Sequence, residues 1–497
     1  MDGQFQIAMT FLVYFAGMLG VGYLAWLRTS TGADYFLGGR SLGPWTAALS
    51  AGASDMSGWL LLGLPGYVFV AGFEAVWLGA GLLLGTWLNW LIVAKRLRVF
   101  SVTANDSLTL PEYFSNRFSD LSSLIQPISA LLILVFFLFY TSSGLVAGGK
   151  LFESTFGLDY EMAVIIGMAS VVSYTLFGGF LAVCWTDLIQ GLLMSVAMLI
   201  VPIYALEVVG GSGQLMSELQ SMDAHFTNLF TNRQGESISW ITIVSLLGWG
   251  LGYFGQPHIL ARFKAIKQIE QLPSARRIAV SWTAVCMVGA LMVGIAGLVY
   301  TQKQGIVLAD PEAILMLLVN LLFHPVIAGI LLAAILAAIM STADSQLLVC
   351  STAVAEDFYR HFFHRAASQK EMLVVGRITV VVMASIATVI ALTPDSSVLA
   401  MVAYAWAGFG SAFGPALLLS LYWKRMNGLG ALAGIVTGAV TVFVWRSLSG
   451  GLFDLYEMIP GFVFSSAAVV VFSLMGPKPK AKEAELFSRV QPLLDAK

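Results

Sequence analysis

Residues 40–66, RSLGPWTAALSAGASDMSGWLLLGLPG, are long and apolar enough to cross a bilayer, yet they carry the polar, glycine-containing run GASDMSG at 52–58. Glycine costs about 1 kcal/mol relative to alanine in a helix interior, and an aspartate at the bilayer centre costs at least about 2.5–3.5 kcal/mol. The stretch therefore predicts a membrane-spanning helix that is interrupted at its middle around a functional polar group.

A second apolar stretch is interrupted in the same way, by GWGLGYFGQP at 248–257. The two interruptions lie about 195 residues apart, which corresponds to five candidate helices. Because five is an odd number, two such units insert with opposite topology, and paired interruptions in two halves mark the binding site of many transporters. Glycines that merely let helices pack closely are the alternative for either stretch alone. The pairing and the aspartate favour function.

Composition places the whole chain in a membrane. Of its 497 residues, 58% are hydrophobic and 11% are charged, against about 25% charged in soluble domains. The net charge of -2 gives no indication of nucleic-acid binding. A spanning helix needs about 20 apolar residues, and that length predicts about thirteen spans, near 5–27, 43–70, 73–94, 122–152, 160–180, 185–209, 238–258, 275–301, 313–344, 372–393, 398–423, 428–448 and 455–476.

These spans predict an all-α integral membrane protein with one transmembrane domain, residues 1–477, and a tail at 478–497. With the N-terminus outside, all but four of the 26 Lys and Arg fall on cytoplasmic segments. This bias toward the cytoplasm sets orientation, so the tail is expected to be cytoplasmic. The four exceptions are Lys150, Arg233, Lys303 and Arg446.

A sodium site can be composed from the first interruption and the ninth span. Asp55 lies at the expected midplane and is assigned to the ion pathway, with capping of the broken helix as the alternative. The ninth span contains AAILAAIMSTADSQ at 333–346. Sodium takes oxygen ligands, preferably neutral ones when the ion must leave again. The alternative to a role in sodium binding is that the Ser and Thr hydroxyls of this span bond to carbonyls of their own helix. The expected five-oxygen cage consists of the carbonyls of Ala53, Met56 and Ala338 and the hydroxyls of Ser341 and Thr342.

Aromatic residues gather on or near the interrupted spans rather than in interfacial belts. They are Trp59, Tyr140, Trp249 and Tyr253. Such side chains offer an apolar wall with a polar tip, which suits a small amphipathic solute. Aromatic packing inside the helix bundle is the alternative for any one of them.

The stretches quoted above, together with LLGWGLGYFGQPHILARF at 246–263, LLAAILAAIMSTADSQLLVCS at 331–351 and YAWAGFGSAFGP at 404–415, resemble the proline-transporting branch of the sodium/solute symporter family. The resemblance runs over nearly the whole chain. It implies a LeuT-type core of two inverted five-helix repeats, helices 2–6 and 7–11, at about 43–209 and 238–423.

The resemblance also implies site residues. It implies sodium at the five cage residues and sodium coupling by Asp55. The positions that match those associated with proline are Ser57, Trp59, Tyr140, Trp249, Tyr253 and Pro257.

One departure from the family pattern is the pair Asp344-Ser345, where close relatives are expected to have Ser-Cys. Ser341, Asp344 and Ser345 share one helical face. Asp187 resembles an acidic position that contributes to a second sodium site in some relatives. Asp187, Asp344 and Ser345 are therefore a possible second sodium site. The alternatives for Asp344 are a protonated, hydrogen-bonded carboxyl and a hydrated residue at the cytoplasmic end of its helix.

The expected function is sodium-coupled import of L-proline across the bacterial inner membrane by alternating access. Sodium and membrane lipid are the other expected partners, with no cofactor and no obligate protein partner. A symporter of the same family for another small solute is the alternative. A channel would need symmetric rings lining a pore, and an enzyme would need motifs such as GxSxG or HExxH, which the sequence lacks.

Overall fold

The computed structural model describes residues 3–27, 37–119, 121–176, 179–222, 225–232, 235–393 and 396–495. Within these ranges the regular secondary structure is helical, and β pairing is limited to two isolated bridges, Leu42 with Ile266 and Thr231 with Ser237. Arg233, which entered the charge count, and the last two residues of the tail lie outside the described ranges.

The first half of the chain begins with one peripheral helix and continues with a five-segment repeat. Its helices are α1 (Gly3–Trp26), α2 (Pro44–Asp55), α3 (Leu64–Ala71), α4 (Ala75–Leu88), α5 (Ala94–Thr103), α6 (Leu110–Arg117), α7 (Ser122–Phe156), α8 (Tyr160–Thr175) and α9 (Phe180–Val209). Short π-helical segments at Trp59–Gly63 and Asn89–Val93 lead into α3 and α5.

The second half begins with a surface helix, repeats the five-segment pattern and adds helices at its end. These helices are α10 (Gly211–Met222), α11 (Trp240–Gly248), α12 (Pro257–Ala265), α13 (Leu272–Lys303), α14 (Ile314–Leu322), α15 (Pro325–Thr352), α16 (Gln369–Ala391), α17 (Val398–Tyr422), α18 (Gly428–Trp445), α19 (Met458–Met475) and α20 (Ala481–Asp495). A 3-10 segment, Trp249–Gly255, joins α11 to α12.

Ten helices in the described ranges are long and apolar enough to cross a membrane. The predicted spans missing from that set are the fifth, which is the short helix α8, and the two interrupted ones, because a broken helix presents two short pieces. The all-helical membrane fold and its two interrupted segments are confirmed.

The predicted ninth span, 313–344, is wrong at both ends. It combines the short helix α14 with the first two-thirds of α15, and the chain leaves helical geometry at Phe323 and His324 between them. Pro325 starts α15, because proline lacks a backbone N–H and fits only the first turn. The spanning helix then continues through Thr352 into a π-helical segment, Ala353–Phe363.

Glycines allow the second interrupted segment to approach its neighbours closely. A Cβ on Gly250 would lie 2.2 Å from the Gly81 carbonyl oxygen of α4, and one on Gly255 would lie 2.1 Å from the Phe409 oxygen of α17. A larger residue at either position would push the backbones apart. The interrupted segment is therefore fixed between α4 and α17, while α12 packs against α2.

The tail carries the helix α20, which packs against α5. The buried carboxylate of Glu483 accepts hydrogen bonds from the Ser119 N–H and hydroxyl at 3.1 and 3.3 Å. Phe487 packs on Phe100 with ring centroids 5.6 Å apart. The tail is thus held against the segments around α5 and α6.

Candidate functional site

The first interruption leaves backbone groups of α2 without helical partners. Helix α2 ends at Asp55, and Met56 departs from helical geometry with φ -84° and ψ 78°. The Ser57 N–H donates to the Asp55 carbonyl at 3.0 Å, and the chain returns to helical geometry only after this turn. The last carbonyls of α2, including that of Ala53, are therefore available to other groups.

Helix α15 brings two hydroxyls to the Ala53 carbonyl oxygen. The Ser341 hydroxyl donates to it at 2.8 Å and lies 3.2 Å from the Ala338 carbonyl oxygen, while the Thr342 hydroxyl is 3.3 Å from the Ala53 oxygen. All four residues are buried, as is Met56 one turn later. Oxygens of four of the five cage residues thus converge on one point, and Ser341 bonds across to α2 as well as within its own helix.

Asp55 connects the two interrupted segments through its side chain. Its Oδ2 accepts a hydrogen bond of 2.7 Å from the Tyr253 hydroxyl, and its Oδ1 is buried without a hydrogen-bond partner in the described structure. Its backbone carbonyl accepts from the Trp59 indole at 3.0 Å and from the Tyr140 hydroxyl at 2.9 Å. The carboxylate therefore accepts its hydrogen bond from a side chain, not from the freed N–H groups that a helix cap would satisfy.

The second interrupted segment is shaped around Trp406 of α17. The Trp406 indole donates to the Trp249 carbonyl at 2.7 Å, and its ring meets that of Tyr253 edge to face at 5.1 Å. A Cβ on Gly252 would lie 2.0 Å from the indole nitrogen, so only glycine fits there. Trp249 itself stacks on Tyr456 with ring centroids 5.3 Å apart.

The remaining residues expected at the solute site lie beside these aromatics. Ser57 occupies the turn between α2 and the following π-helical segment, and Pro257 begins α12 at the end of the second interruption. Both lie close in sequence to groups that meet at Asp55. The structure thus gathers Ser57, Trp59, Tyr140 and Tyr253 around the first break and places Trp249 and Pro257 at the two ends of the second.

A buried ion pair joins α9 and α12. Arg262 Nη2 is 3.1 Å from Asp187 Oδ2 and donates to the Ser345 hydroxyl at 2.6 Å. Ser50 of α2 donates to Asp187 Oδ2 at 2.6 Å and accepts from Arg262 Nε at 3.0 Å. One guanidinium therefore joins two members of the possible second sodium site, Asp187 and Ser345, to α2.

Asp344 has no exposed surface, so the interpretation of a hydrated residue at a helix end is wrong. That interpretation assumed that the helix ends near 344, whereas α15 continues to Thr352. The Asp344 carboxyl interacts electrostatically with Tyr14 of α1 and with Cys184 of α9. It therefore belongs to the interior of the bundle, on the part of α15 that α1 and α9 cover.

Glu312 is another buried carboxylate, on the opposite side of the molecule. Glu312 forms an ion pair of 2.6 Å with Lys150 of α7, and its oxygens accept hydrogen bonds from the Ser397 hydroxyl and from the first N–H groups of α17 at 3.0–3.2 Å. A Cβ on Gly66 would lie 2.9 Å from the Glu312 backbone. Glu312 thus holds α7, α17 and α3 together, and its charge suits a helix N-terminus.

Residues 35–438 match the sequence profile described as the Sodium:solute symporter family. The chain belongs to this family. The symporter is 50% identical to the sodium/proline symporter of Escherichia coli (strain K12) over 96% of this chain and 95% of that protein. It is 48% identical to the osmoregulated proline transporter OpuE of Bacillus subtilis (strain 168), over 99% of both.

Solved structures share the fold of the symporter. A substrate-bound, outward-open Na+-coupled sialic acid symporter superposes with a TM-score of 0.80 at 22% identity, over 96% of this chain and all of that one. MhsT in complex with L-phenylalanine gives 0.51 at 14% identity, over 86% and 97% of the two chains. These likenesses support the LeuT-type arrangement of two inverted five-helix repeats.

Several residues of the site were not predicted from the symporter's sequence. Arg262 was counted among cytoplasmic charges, yet it is fully buried, and His258 on the same helix is buried beside Phe137 and Tyr140. Both follow Pro257 on α12, within the stretch 246–263 that carries the family resemblance. Their position on an interrupted helix is the sequence feature that could have identified them as site residues. Trp406 had a similar signal in the stretch 404–415.

Proposed function

We propose that this symporter imports L-proline together with sodium. The observation that carries the proposal is the convergence of the Ser341 and Thr342 hydroxyls on the Ala53 carbonyl at the break in α2. Neutral oxygens at a helix interruption suit a monovalent cation that must bind and later leave. Relatives named as proline transporters, about half identical over nearly the full length, support proline as the solute.

In this proposal sodium is held by oxygens of the five cage residues. The ion replaces the hydrogen bonds that Ser341 and Thr342 make to Ala53, so the hydroxyl oxygens turn from donors into ligands. Met56 supplies its carbonyl from the end of α2. Cage oxygens without formal charge keep the ion exchangeable, because they attract sodium less strongly than a carboxylate in direct contact does.

Asp55 couples the ion to the solute. Its carboxylate lies two residues beyond Ala53 in the chain and is bonded to Tyr253 on the other interrupted segment. A cation near the end of α2 stabilises this buried negative charge, and the charge in turn orders the Tyr253 side of the solute site. Such a linkage is reciprocal, so bound proline also raises the affinity for sodium.

Proline itself is proposed to bind between the two breaks. The aromatic rings present apolar faces to the pyrrolidine ring, and the half-helix starting at Pro257 directs its N-terminus, the positive end of its dipole, toward the carboxylate. The contributing residues are Ser57, Trp59, Tyr140, Trp249, Tyr253 and Pro257.

A second sodium site at Asp187, Asp344 and Ser345 remains part of the proposal. In the conformation described, Arg262 supplies the positive charge there, because its guanidinium contacts Asp187 and Ser345. A sodium ion at that place must compete with Arg262 for the same oxygens. Sodium binding would then release Arg262 and weaken the ties of α12 to α2 and α15.

Two of the buried carboxylates, Glu312 and Asp187, suggest how access alternates. Contacts of Glu312 fasten α3, α7 and α17 on one side, and contacts of Asp187 with Arg262 fasten α2, α9 and α12 on the other. We propose that the first set opens toward the outside and the second toward the cytoplasm. This assignment places the N-terminus outside and the tail in the cytoplasm of a bacterial inner membrane.

A symporter of this family for another small solute is the alternative, because the site residues recognise an amphipathic molecule and not proline alone. Competition experiments distinguish the two: labelled proline uptake is measured against an excess of unlabelled amino acids, pantothenate and sugars. Proline should compete best. A stronger competitor would reassign the solute and leave sodium coupling intact.

Sodium coupling is tested with purified symporter in proteoliposomes. Labelled proline should accumulate only with an inward sodium gradient, and a membrane potential, negative inside, should accelerate uptake. Equal uptake in potassium-only buffer at several pH values would refute the proposal.

A further inference from the structure

A narrow cavity extends from the buried ion pair of Arg262 toward the end of α15. Its volume is about 40 Å³, enough for a few water molecules, and its lining includes Arg262, Ser345, Lys264, Thr109 and Asp357. Asp357 lies in the π-helical segment that follows α15, a type of helix distortion found mostly at functional sites.

Asp357 is fully buried, and only half of its carboxylate is satisfied. Oδ1 accepts hydrogen bonds from the Thr109 hydroxyl at 3.1 Å and from the Gln126 amide at 2.8 Å. Oδ2 is buried without a hydrogen-bond partner in the described structure. An unpaired carboxylate oxygen in a buried place is costly, and a bound cation is one of the few groups that can satisfy it.

The charged groups around the cavity carry a net negative charge that one more cation would balance. Asp187 compensates Arg262 at 3.1 Å, and Lys264 interacts electrostatically with both Glu112 and Asp357. Lys264 also interacts with the ion pair of Arg40 and Asp106, so three cationic groups and four carboxylates interact around the cavity, a local excess of one negative charge. The Lys264 ammonium donates to the carbonyl of Leu108, which also lines the cavity.

We propose that Asp357 binds a monovalent cation, and that sodium passes through this site on its way from the Arg262 cluster to the cytoplasm. Asp357 Oδ2 and the hydroxyl of Thr109 supply oxygen ligands, with the remaining ligands from water in the cavity. The inference rests on the proposed function and orientation, because it assigns the cavity to the cytoplasmic side of a sodium symporter.

The test compares the sodium dependence of proline transport from the two membrane faces. Right-side-out vesicles report the external sodium concentration for half-maximal uptake, and inside-out vesicles report the internal one. Asp357→Asn should raise the internal sodium concentration for half-maximal transport by about tenfold or more, the size expected for losing one carboxylate contact to the ion. It should change the external sodium concentration for half-maximal uptake by less than about twofold.

Matched variants separate the charge of Asp357 from its packing. Asp357→Glu should restore the internal value to within about twofold of wild type, and Asp357→Ser should behave like the asparagine variant. Glu356→Gln removes a neighbouring carboxylate that is paired with Arg360 at 3.0 Å outside the cavity, and it should leave both values unchanged.

The inference would be overturned if the asparagine and serine variants kept the wild-type internal sodium concentration for half-maximal transport. It would also be overturned if the external and internal concentrations shifted equally, or if the glutamate variant showed the same shift as the asparagine variant. Wild-type vesicles without sodium-dependent proline transport would instead refute the proposed function.

Discussion

Replacing Ser341 by alanine should weaken sodium binding more than replacing Thr342. The Ser341 hydroxyl is 2.8 Å from the Ala53 oxygen and 3.2 Å from the Ala338 oxygen, so it lies between two of the cage carbonyls. The Thr342 hydroxyl is 3.3 Å from the Ala53 oxygen, at the edge of the same group. Its loss should therefore remove a weaker ligand.

The magnitude follows from the loss of one oxygen among five. A hydrogen bond or ligand contact to a charged group contributes about 1–3 kcal/mol, which corresponds to about a 5- to 150-fold change in a dissociation constant. We place Ser341→Ala in the upper half of this range and Thr342→Ala in the lower half. The change should appear in the sodium concentration for half-maximal uptake, and proline affinity should fall with it when sodium is limiting.

The assay is labelled proline uptake into proteoliposomes over a series of external sodium concentrations, with the amount of inserted protein measured for each variant. Thr301→Val is the matched control, because the buried Thr301 hydroxyl bonds to the Gly297 and Leu298 carbonyls of its own helix. It should leave the sodium dependence unchanged. Wild-type sodium dependence in both cage variants would refute the reasoning and assign those hydroxyls to structural contacts between α2 and α15.

Three further predictions concern the rest of the site. Tyr253→Phe removes the hydrogen bond to the aspartate at the first break but keeps the ring, so transport assays should show about 10-fold or greater loss of coupled uptake; full activity would contradict the coupling role. Gly252→Ala should displace the Trp406 indole and raise the half-saturating proline concentration, whereas Gly213→Ala, with open space around it, should not. Asp344→Ser should keep sodium-driven uptake but alter its sodium cooperativity or pH dependence, and no change in either would leave Asp344 a packing residue.

The sequence predicted the interrupted helices well because their causes are local. Glycine, proline and a midplane aspartate disfavour a continuous helix wherever they occur in an apolar span, and the observed breaks at Met56 and at Trp249–Gly255 lie within the quoted stretches. The predicted ninth span failed because hydropathy does not distinguish one long helix from two apolar helices. Only Pro325 signalled the boundary between α14 and α15.

Side-chain partners at the site could not be predicted in the same way. The contact between Arg262 and Asp187 joins residues 75 positions apart, and Trp406 reaches the Trp249 carbonyl across 157 positions. Neither pair leaves a periodic signal in the sequence. The positive-inside pattern assigned Arg262 to a cytoplasmic segment but did not predict its burial, because counting charges near span ends does not tell a hydrated arginine from one folded back into the bundle.

Two hydrogen bonds join the interrupted segments at different heights along α2, and Ala53 of the cage lies between them. Asp55 bonds to Tyr253 at the end of α2, and Ser50, five residues earlier, bonds to Arg262 at the far end of α12. At 1.5 Å per residue these ties are about 7.5 Å apart along α2. Ala53 lies within that interval, so an ion that draws its carbonyl toward α15 acts on both ties at once. Sodium bound in the proposed cage would therefore bias the solute site and the contacts of Arg262 together, which is what coupled transport requires of one bound ion.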